Sequence, residues 1–437
     1  MMILPGVPGS GASTTDLTRP VDAGSHPQPG STFSFRPWVS ADGRGVAFDS
    51  NAVLAPGAAN GVRNIYVYDR PTGRISLVSV GLRGAPSDGD SQRPTLSADG
   101  RYVAFWSAAD NLVAGDTNRV TDAFVYDRQT GTTTRVSVGP DGREANGPSA
   151  RPVISGDGNL VAFESAASNL LPDGLVGRRT DTNGVRDVFV YNRSTQTTIR
   201  VSVTSTGTQG ADESVRPSIS ADGRFVAFQS QSVFEADDTN GKTDVYVHDL
   251  GTGATTRVSV ASGGAQAHGS SFSPSLSGDG RFVAYWSSAA DLVAGDTNRV
   301  PDVFVTDRES GRTERVSVSS GGAQANGESS DPSISPDGRY VAFWSAATNL
   351  VPADTNGKRD VFVADRLAHT TSRVSVTSEG SQSNGDSYSP CIAVLNDGSV
   401  LVAFDSAATN LGSRGVYDRK GSNVFVHLDD HPPTNRS

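Results

Sequence analysis

A proline followed five residues later by Asp-Gly, and then by Val-Ala and an aromatic ring, recurs seven times along this chain. The prolines are Pro37, Pro94, Pro152, Pro217, Pro274, Pro332 and Pro390, so the period runs from 57 to 65 residues. In the last copy the Asp-Gly pair is displaced, to Asp397-Gly398. Asp-Gly between two apolar runs is a hairpin signal, because glycine takes a positive φ without steric cost. A third run such as Asp360-Val361-Phe362-Val363 and a fourth such as Arg373-Val374-Ser375-Val376 complete each unit. Repetition at this period overrides any domain count drawn from length. A parallel β-helix needs shorter repeats, and no helical periodicity competes.

Four short antiparallel strands repeated radially make a propeller blade. The expected fold is all-β, a seven-bladed β-propeller over residues 16–428 with blades starting near 34, 91, 149, 214, 271, 329 and 387. The seventh copy lacks a fourth strand. Arg19 lies 18 residues before Pro37, much as Arg257 lies 17 before Pro274, so residues 16–22 are expected to supply the outer strand of the last blade and close the ring. Residues 1–15 and 429–437 read as flexible ends.

Forty-seven acidic against 37 basic residues give a formal charge of −10, which argues against a nucleic-acid binder. Cys391 stands alone, so the chain forms no internal disulfide and no Cys-ligated zinc site. No apolar run is long enough to span a membrane, and the N-terminal stretch does not read as an intact signal peptide.

In the motif Ser-Ile-Ser-x-Asp-Gly-Arg-x-Val-Ala-Phe, at residues 218–228 and 333–343, the chain resembles the TolB-like propeller repeat. That WD-repeat-like family belongs to bacterial cell-envelope and secreted proteins, and the resemblance covers roughly residues 34–428. It implies a secreted or periplasmic location. The family hosts protein-binding modules, peptidase-associated propellers and polysaccharide lyases, so the resemblance leaves function open.

Strand direction places the loop between strands two and three at the same end as the link between blades, and three residue sets map there. The first is Asp-Thr-Asn-x-x-x-Asp in five blades: Asp116/Asn118/Asp122, Asp181/Asn183/Asp187, Asp238/Asn240/Asp244, Asp296/Asn298/Asp302 and Asp354/Asn356/Asp360. Alternating oxygen donors suit Ca²⁺, although three fall short of the six to eight it prefers. Asx-turns explain the same pattern without a metal. The second set precedes the prolines: Arg36, Arg93, Arg151 and Arg216, then Ser273, Asp331 and Ser389. On the innermost strand these ring the channel mouth, where guanidinium groups hold a carboxylate, sulfate or phosphate, or pair with neighbouring acids. The third set follows Val-Ala-Phe/Tyr: Asp49, Trp106, Glu164, Gln229, Trp286, Trp344 and Asp405. Trp with carboxylates is a sugar-binding combination; the alternative is rings filling space between blades while the acids meet Arg or Ser.

No Ser/His/Asp set, nucleophile elbow or metalloprotease helix is present. Asp49, Glu164 and Asp405 are the carboxylates that a glycoside hydrolase would bring together across the channel. The residues thus point to a non-catalytic, monomeric binding or scaffold module that meets a protein or a glycan at the long-loop face. A lyase or hydrolase acting on anionic glycans is the alternative.

Overall fold

The computed structural model describes residues 12–18, 33–59, 61–172, 181–412 and 421–429. They form seven four-stranded antiparallel sheets in a ring. The innermost strands begin at Ser34, Ser91, Ser149, Ser214, Ser271, Ser329 and Ser387. In blade two the strands are Ser91–Leu96, Tyr102–Ser107, Asp122–Asp127 and Thr132–Arg135. The second and third strands are buried on both faces, which is why Val-Ala-Phe is a continuous apolar run. Phe105 lies opposite Phe124 with ring centroids 5.8 Å apart, and the same pair recurs as Phe48/Tyr66, Phe163/Phe189 and Phe343/Phe362. Truncating one such ring to alanine removes about 3–5 kcal/mol.

Neighbouring blades are tied at the short-turn end. Ala98 N donates to Gly156 O at 2.9 Å, and Gly156 N donates in turn to Ala221 O at 2.9 Å. The guanidinium groups of Arg101 and Arg193 lie 4.7 and 4.1 Å from the Tyr102 ring, one from its own blade and one from the next. Gly158, at φ +74°, lets the turn lie on that ring, since a Cβ there would stand 2.2 Å from Tyr102.

The N-terminal segment does close the ring, but as Ser13–Asp16 and not as residues 16–22. Asp16 lies opposite Phe425, as Arg373 lies opposite Phe362, so Asp16 holds the register expected of Arg19. The apolar residue after the strand sets this register. Leu17 is buried and donates its N–H to Val424 O at 3.0 Å, as Val374 does to Val361 O at 2.8 Å. Thr14 Oγ1 donates to Val376 O of the preceding blade at 2.7 Å, matching Thr313 to Val260 O at 2.7 Å. Arg19 and the rest of the expected strand lie outside the described residues, as do residues 1–11 and 430–437 of the expected flexible ends.

Candidate functional site

Every innermost strand carries a bulge just after it starts. In blade one Phe35 pairs with Asp49 and Trp38 with Ala47, which leaves Arg36 and Pro37 between the rungs. Proline has no N–H to lose from the ladder, so a bulge accommodates it. The residue before it sits in the left-handed region in all seven blades: φ is +53° at Arg36 and Arg93, +51° at Arg151, +56° at Arg216, +52° at Ser273, +47° at Asp331 and +51° at Ser389. Each such backbone costs about 1–3 kcal/mol, and the surroundings must hold it.

They hold it through the variable residue after Val-Ala-Phe. Asp49 Oδ1 accepts the N–H of Arg93 at 3.3 Å, and Asp405 Oδ1 accepts that of Arg36 at 3.3 Å. Glu164 Oε2 accepts the N–H of Arg216 at 2.9 Å, and Gln229 Oε1 that of Ser273 at 2.9 Å. The acid or amide of one blade therefore caps the bulge of the next. All four residues are buried. Each is a strut beneath the mouth.

Trp286 and Trp344 turn instead to their own blades. Trp286 Nε1 donates to Ser273 Oγ at 3.3 Å, and Trp344 Nε1 to Asp331 Oδ2 at 3.2 Å. Both rings stay half-buried and lie against further aromatics: Phe272 stacks on Trp286 at 4.5 Å, and Tyr388 meets Trp344 edge-on at 5.7 Å. Trp106, also half-buried, holds the equivalent place in blade two.

The seven bulge residues and their prolines surround a cavity of about 270 Å³ at the long-loop end of the channel, with Trp38 and Cys391 deeper on its wall. Three of its four guanidinium groups have a carboxylate within 4 Å. Arg36 lies 3.9 Å from Asp49, Arg151 3.4 Å from Glu164, and Arg216 3.7 Å from Asp331. Arg63 and Arg186 approach the same acids from outside, at 3.8 Å from Asp49 and 3.1 Å from Glu164. Burial, with the like charges of Arg151, Arg36 and Arg216, pushes the Arg93 guanidinium down to about 9. Burial likewise pushes the Asp49 and Asp405 carboxyls up to about 6, against the opposing pull of Arg36.

The Asp-Thr-Asn loops lie further out on the same end, and their side chains bond within the loop and to the fourth strand. In all five the Asn amide donates to the last Asp. Asn118 Nδ2 reaches Asp122 Oδ2 at 2.8 Å, Asn183 reaches Asp187 at 3.0 Å, and Asn240 reaches Asp244 at 3.1 Å. Asn298 reaches Asp302 at 2.7 Å, and Asn356 reaches Asp360 at 2.7 Å. The Asn oxygen is occupied as well, because it accepts a backbone N–H two residues on. Val120 gives that N–H to Asn118 at 3.1 Å, Val185 to Asn183 at 3.3 Å, and Lys242 to Asn240 at 2.7 Å. Val300 gives it to Asn298 at 3.2 Å, and Lys358 to Asn356 at 2.9 Å. These are Asx-turns, through which Asn118, Asn183, Asn240, Asn298 and Asn356 stabilise the loop.

The last aspartate of each loop is satisfied in the same way, whereas Asp116 Oδ1, Asp181 Oδ1 and both carboxylate oxygens of Asp354 are buried without a hydrogen-bond partner among the described residues. Asp122 Oδ1 accepts the Ser137 hydroxyl at 2.5 Å, as Asp187 accepts that of Ser202 and Asp244 that of Ser259. Asp302 and Asp360 take the hydroxyls of Ser317 and Ser375. The first Asp faces a largely buried arginine of the fourth strand: Asp116 lies 3.0 Å from Arg135, Asp181 3.6 Å from Arg200, Asp238 3.2 Å from Arg257, Asp296 3.2 Å from Arg315, and Asp354 3.1 Å from Arg373. The cation in the loop is a guanidinium. Among the described residues no group of three or more His, Cys, Asp or Glu is arranged to hold a metal. Sequence reasoning missed these arginines, although a signal exists: blades two to six carry both the motif and Arg-Val-Ser-Val, whereas Leu77 and Asp16 take the arginine place where the motif is missing.

The described histidines lie away from the mouth. His248 and His427 are buried beside Thr255 and Thr14, at 2.8 and 2.9 Å, and His268 pairs with Asp291 on an exposed loop. No helix among the described residues is long and apolar enough to cross a membrane.

No protein family matches the sequence, and no curated protein does. Solved structures do. An oligogalacturonate lyase in complex with manganese superposes with a TM-score of 0.55 at 12% identity, over 97% of this chain and 94% of that one. The oligogalacturonate lyase of Vibrio parahaemolyticus gives 0.53 at 13% identity over 96% and 98%. TolB from Acinetobacter baumannii gives 0.38 at 15% identity over 91% and 80%. At these identities the likeness is one of fold, that of a β-propeller.

Proposed function

We propose that this propeller is a secreted or cell-envelope binding module whose ligand end is the channel mouth, and that the ligand is an acidic glycan. One observation carries the reading: the mouth brings four guanidinium groups to one cavity with Trp38 on its wall, while Trp286 and Trp344 hydrogen-bond to two of its lining residues, Ser273 and Asp331. Guanidinium groups take carboxylates in a planar fork, and aromatic faces take the apolar faces of sugar rings. Calcium is no part of this reading, in which the acidic loops are held by their own arginines. A propeller fold hosts binding modules and lyases alike, so the choice between binding and catalysis rests on the site. Against catalysis stands the placing of the described histidines away from the mouth.

The test is an array of acidic and neutral glycans, with ultraviolet detection of unsaturated uronate products. Polygalacturonate is expected to bind, neutral galactan to stay unbound, and no product to form. A blank array overturns the reading, as does retention of the propeller by a protein ligand alone. Product release that Arg151→Ala and Arg216→Ala abolish makes the protein an enzyme instead.

Affinity should also depend on pH. Asp49 and Asp405 are neutral at pH 5 and ionised at pH 7.5, since burial holds both near 6. Two negative charges then arise beneath the mouth as pH rises. In a solvent-like dielectric each is worth about 0.5 kcal/mol against a nearby anion, so affinity for oligogalacturonate is expected to fall about fivefold between pH 5 and 7.5. Titration calorimetry at the two pH values checks this, and Asp49→Asn with Asp405→Asn should flatten the profile. The sign for stability follows the same shift. A carboxyl raised in the folded state favours the protonated fold, so its contribution declines as pH climbs from about 4 to 6.

A further inference from the structure

In blade two the pairing scheme of the mouth breaks. The residue thirteen positions after the bulge residue is an acid in blades one and three, Asp49 and Glu164, where it neutralises Arg36 and Arg151. In blades five and six it is Trp286 or Trp344, whose indole N–H finds an acceptor in its own bulge residue, Ser273 or Asp331. Blade two combines the donor of one arrangement with the donor of the other. Its bulge residue is Arg93 and its partner position is Trp106, so a cation and an indole N–H take the two places that blades one, three, five and six fill with a donor and an acceptor.

Neither donor is answered by protein. Trp106 Nε1 is buried without a hydrogen-bond partner among the described residues. The Arg93 side chain lines the cavity and makes no hydrogen bond or ion pair among them, while Arg36, Arg151 and Arg216 each have a carboxylate within 4 Å. Gln92, cross-strand from Trp106, commits its oxygen to Arg36 Nη1 at 3.1 Å. A buried donor without an acceptor is destabilising, the more so beside a charge. A ligand acceptor at this point recovers that cost.

We infer that Arg93 and Trp106 form a subsite for one carboxylate of the ligand, one oxygen taking the indole N–H and both facing the guanidinium fork. A single carboxylate matches one guanidinium, because Arg36, Arg151 and Arg216 each have a carboxylate of the protein within 4 Å and Arg93 has none among the described residues. The assignment rests on the mouth being the ligand end, and it narrows the four-arginine arc to a single recognition point. Arg36, Arg151 and Arg216 hold the struts; Arg93 reads the ligand.

The experiment uses the full chain carrying ¹⁵N-labelled tryptophan, titrated with sodium galacturonate, galactose, sodium acetate and sodium sulfate at constant ionic strength. Trp106→Phe assigns the indole signal. Galacturonate and acetate are expected to shift the Trp106 signal saturably, galactose to leave it still, and sulfate to act at least tenfold more weakly. Arg93→Gln should raise the galacturonate Kd at least tenfold, while unchanged Trp286 and Trp344 signals show that the variant is folded. A Trp106 signal that does not respond to galacturonate overturns the subsite, and so does a response that survives Arg93→Gln. Sulfate binding more tightly than acetate overturns the carboxylate assignment. A still Trp106 signal with polygalacturonate retained on the array discards the subsite alone; loss of both discards the broader reading.

Discussion

Removing residues 1–18 is expected to lower the melting temperature by about 5 °C or more and to drive the protein into soluble oligomers. The segment is short, but it carries one side of the last blade. Leu17 is 3% exposed and joins the cluster formed by Phe48, Leu401, Val424 and Val426. Burial of a leucine contributes about 2 kcal/mol, and each backbone hydrogen bond along the strand adds about 1 kcal/mol net. The strand also bridges blades, since Thr14 Oγ1 donates to Val376 O and stands 2.9 Å from His427 Nδ1. Without it the strand Asn423–Asp429 becomes an open edge, which invites pairing with another copy. A total near 5 kcal/mol spread over a chain of 437 residues corresponds to about 5 °C. A synthetic peptide spanning residues 10–18, added in trans, should restore the melt. A truncated protein that melts with the intact one and stays monomeric would show that the ring does not need this strand.

The second large effect belongs to the outer loops. Arg257→Met is expected to cost about 3–5 kcal/mol, or about 3–6 °C, because it strips a buried cation from carboxylates that remain. The Arg257 side chain is 1% exposed and lies 3.2 Å from both Asp238 and the exposed Asp237. Asp238 is itself buried, and its Oδ2 accepts the Tyr246 hydroxyl, so it has no route to water when the arginine goes. Adding Asp238→Asn should recover part of the loss, which separates an unpaired charge from a simple void. Lys242→Met, on the exposed part of the same loop, should stay within about 0.5 kcal/mol of the parent. Melts in excess EDTA and in excess Ca²⁺ are expected to coincide. A calcium-dependent melt, or an Arg257→Met variant as stable as the parent, would contradict the arginine-held loop.

Much of this architecture could be read from residue order alone. The Pro and Asp-Gly periods mark where strands turn, and a seven-fold period admits few folds. The closing strand was legible in kind but not in register. Arg19 imitates the fourth-strand arginines, yet the segment docks through Leu17, because an apolar side chain that fills a core position outweighs a surface cation. The loops left two readings open for a related reason. Asp-Thr-Asn-x-x-x-Asp displays oxygens at ligand-like spacing, but the neutralising charge comes from a strand about thirteen residues further on, Arg135 for Asp122 and Arg373 for Asp360. At the mouth, the arginine arc was visible as a set of residues. Its compensation was not, because Asp49 and Asp405 reach into the next blade across 44 and 369 residues. Only the partner of each side chain, which the fold supplies, separates Arg93 from the other three.

Hydrogen–deuterium exchange with and without oligogalacturonate tests the central claim, that the channel mouth is the ligand end. Protection is expected in peptides covering residues 34–39, 91–96, 149–154 and 214–219, where the arginine-bearing strands start. Protection confined to the Asp-Gly turns at the opposite end of the channel, or to the outer strands of the blades, would contradict it.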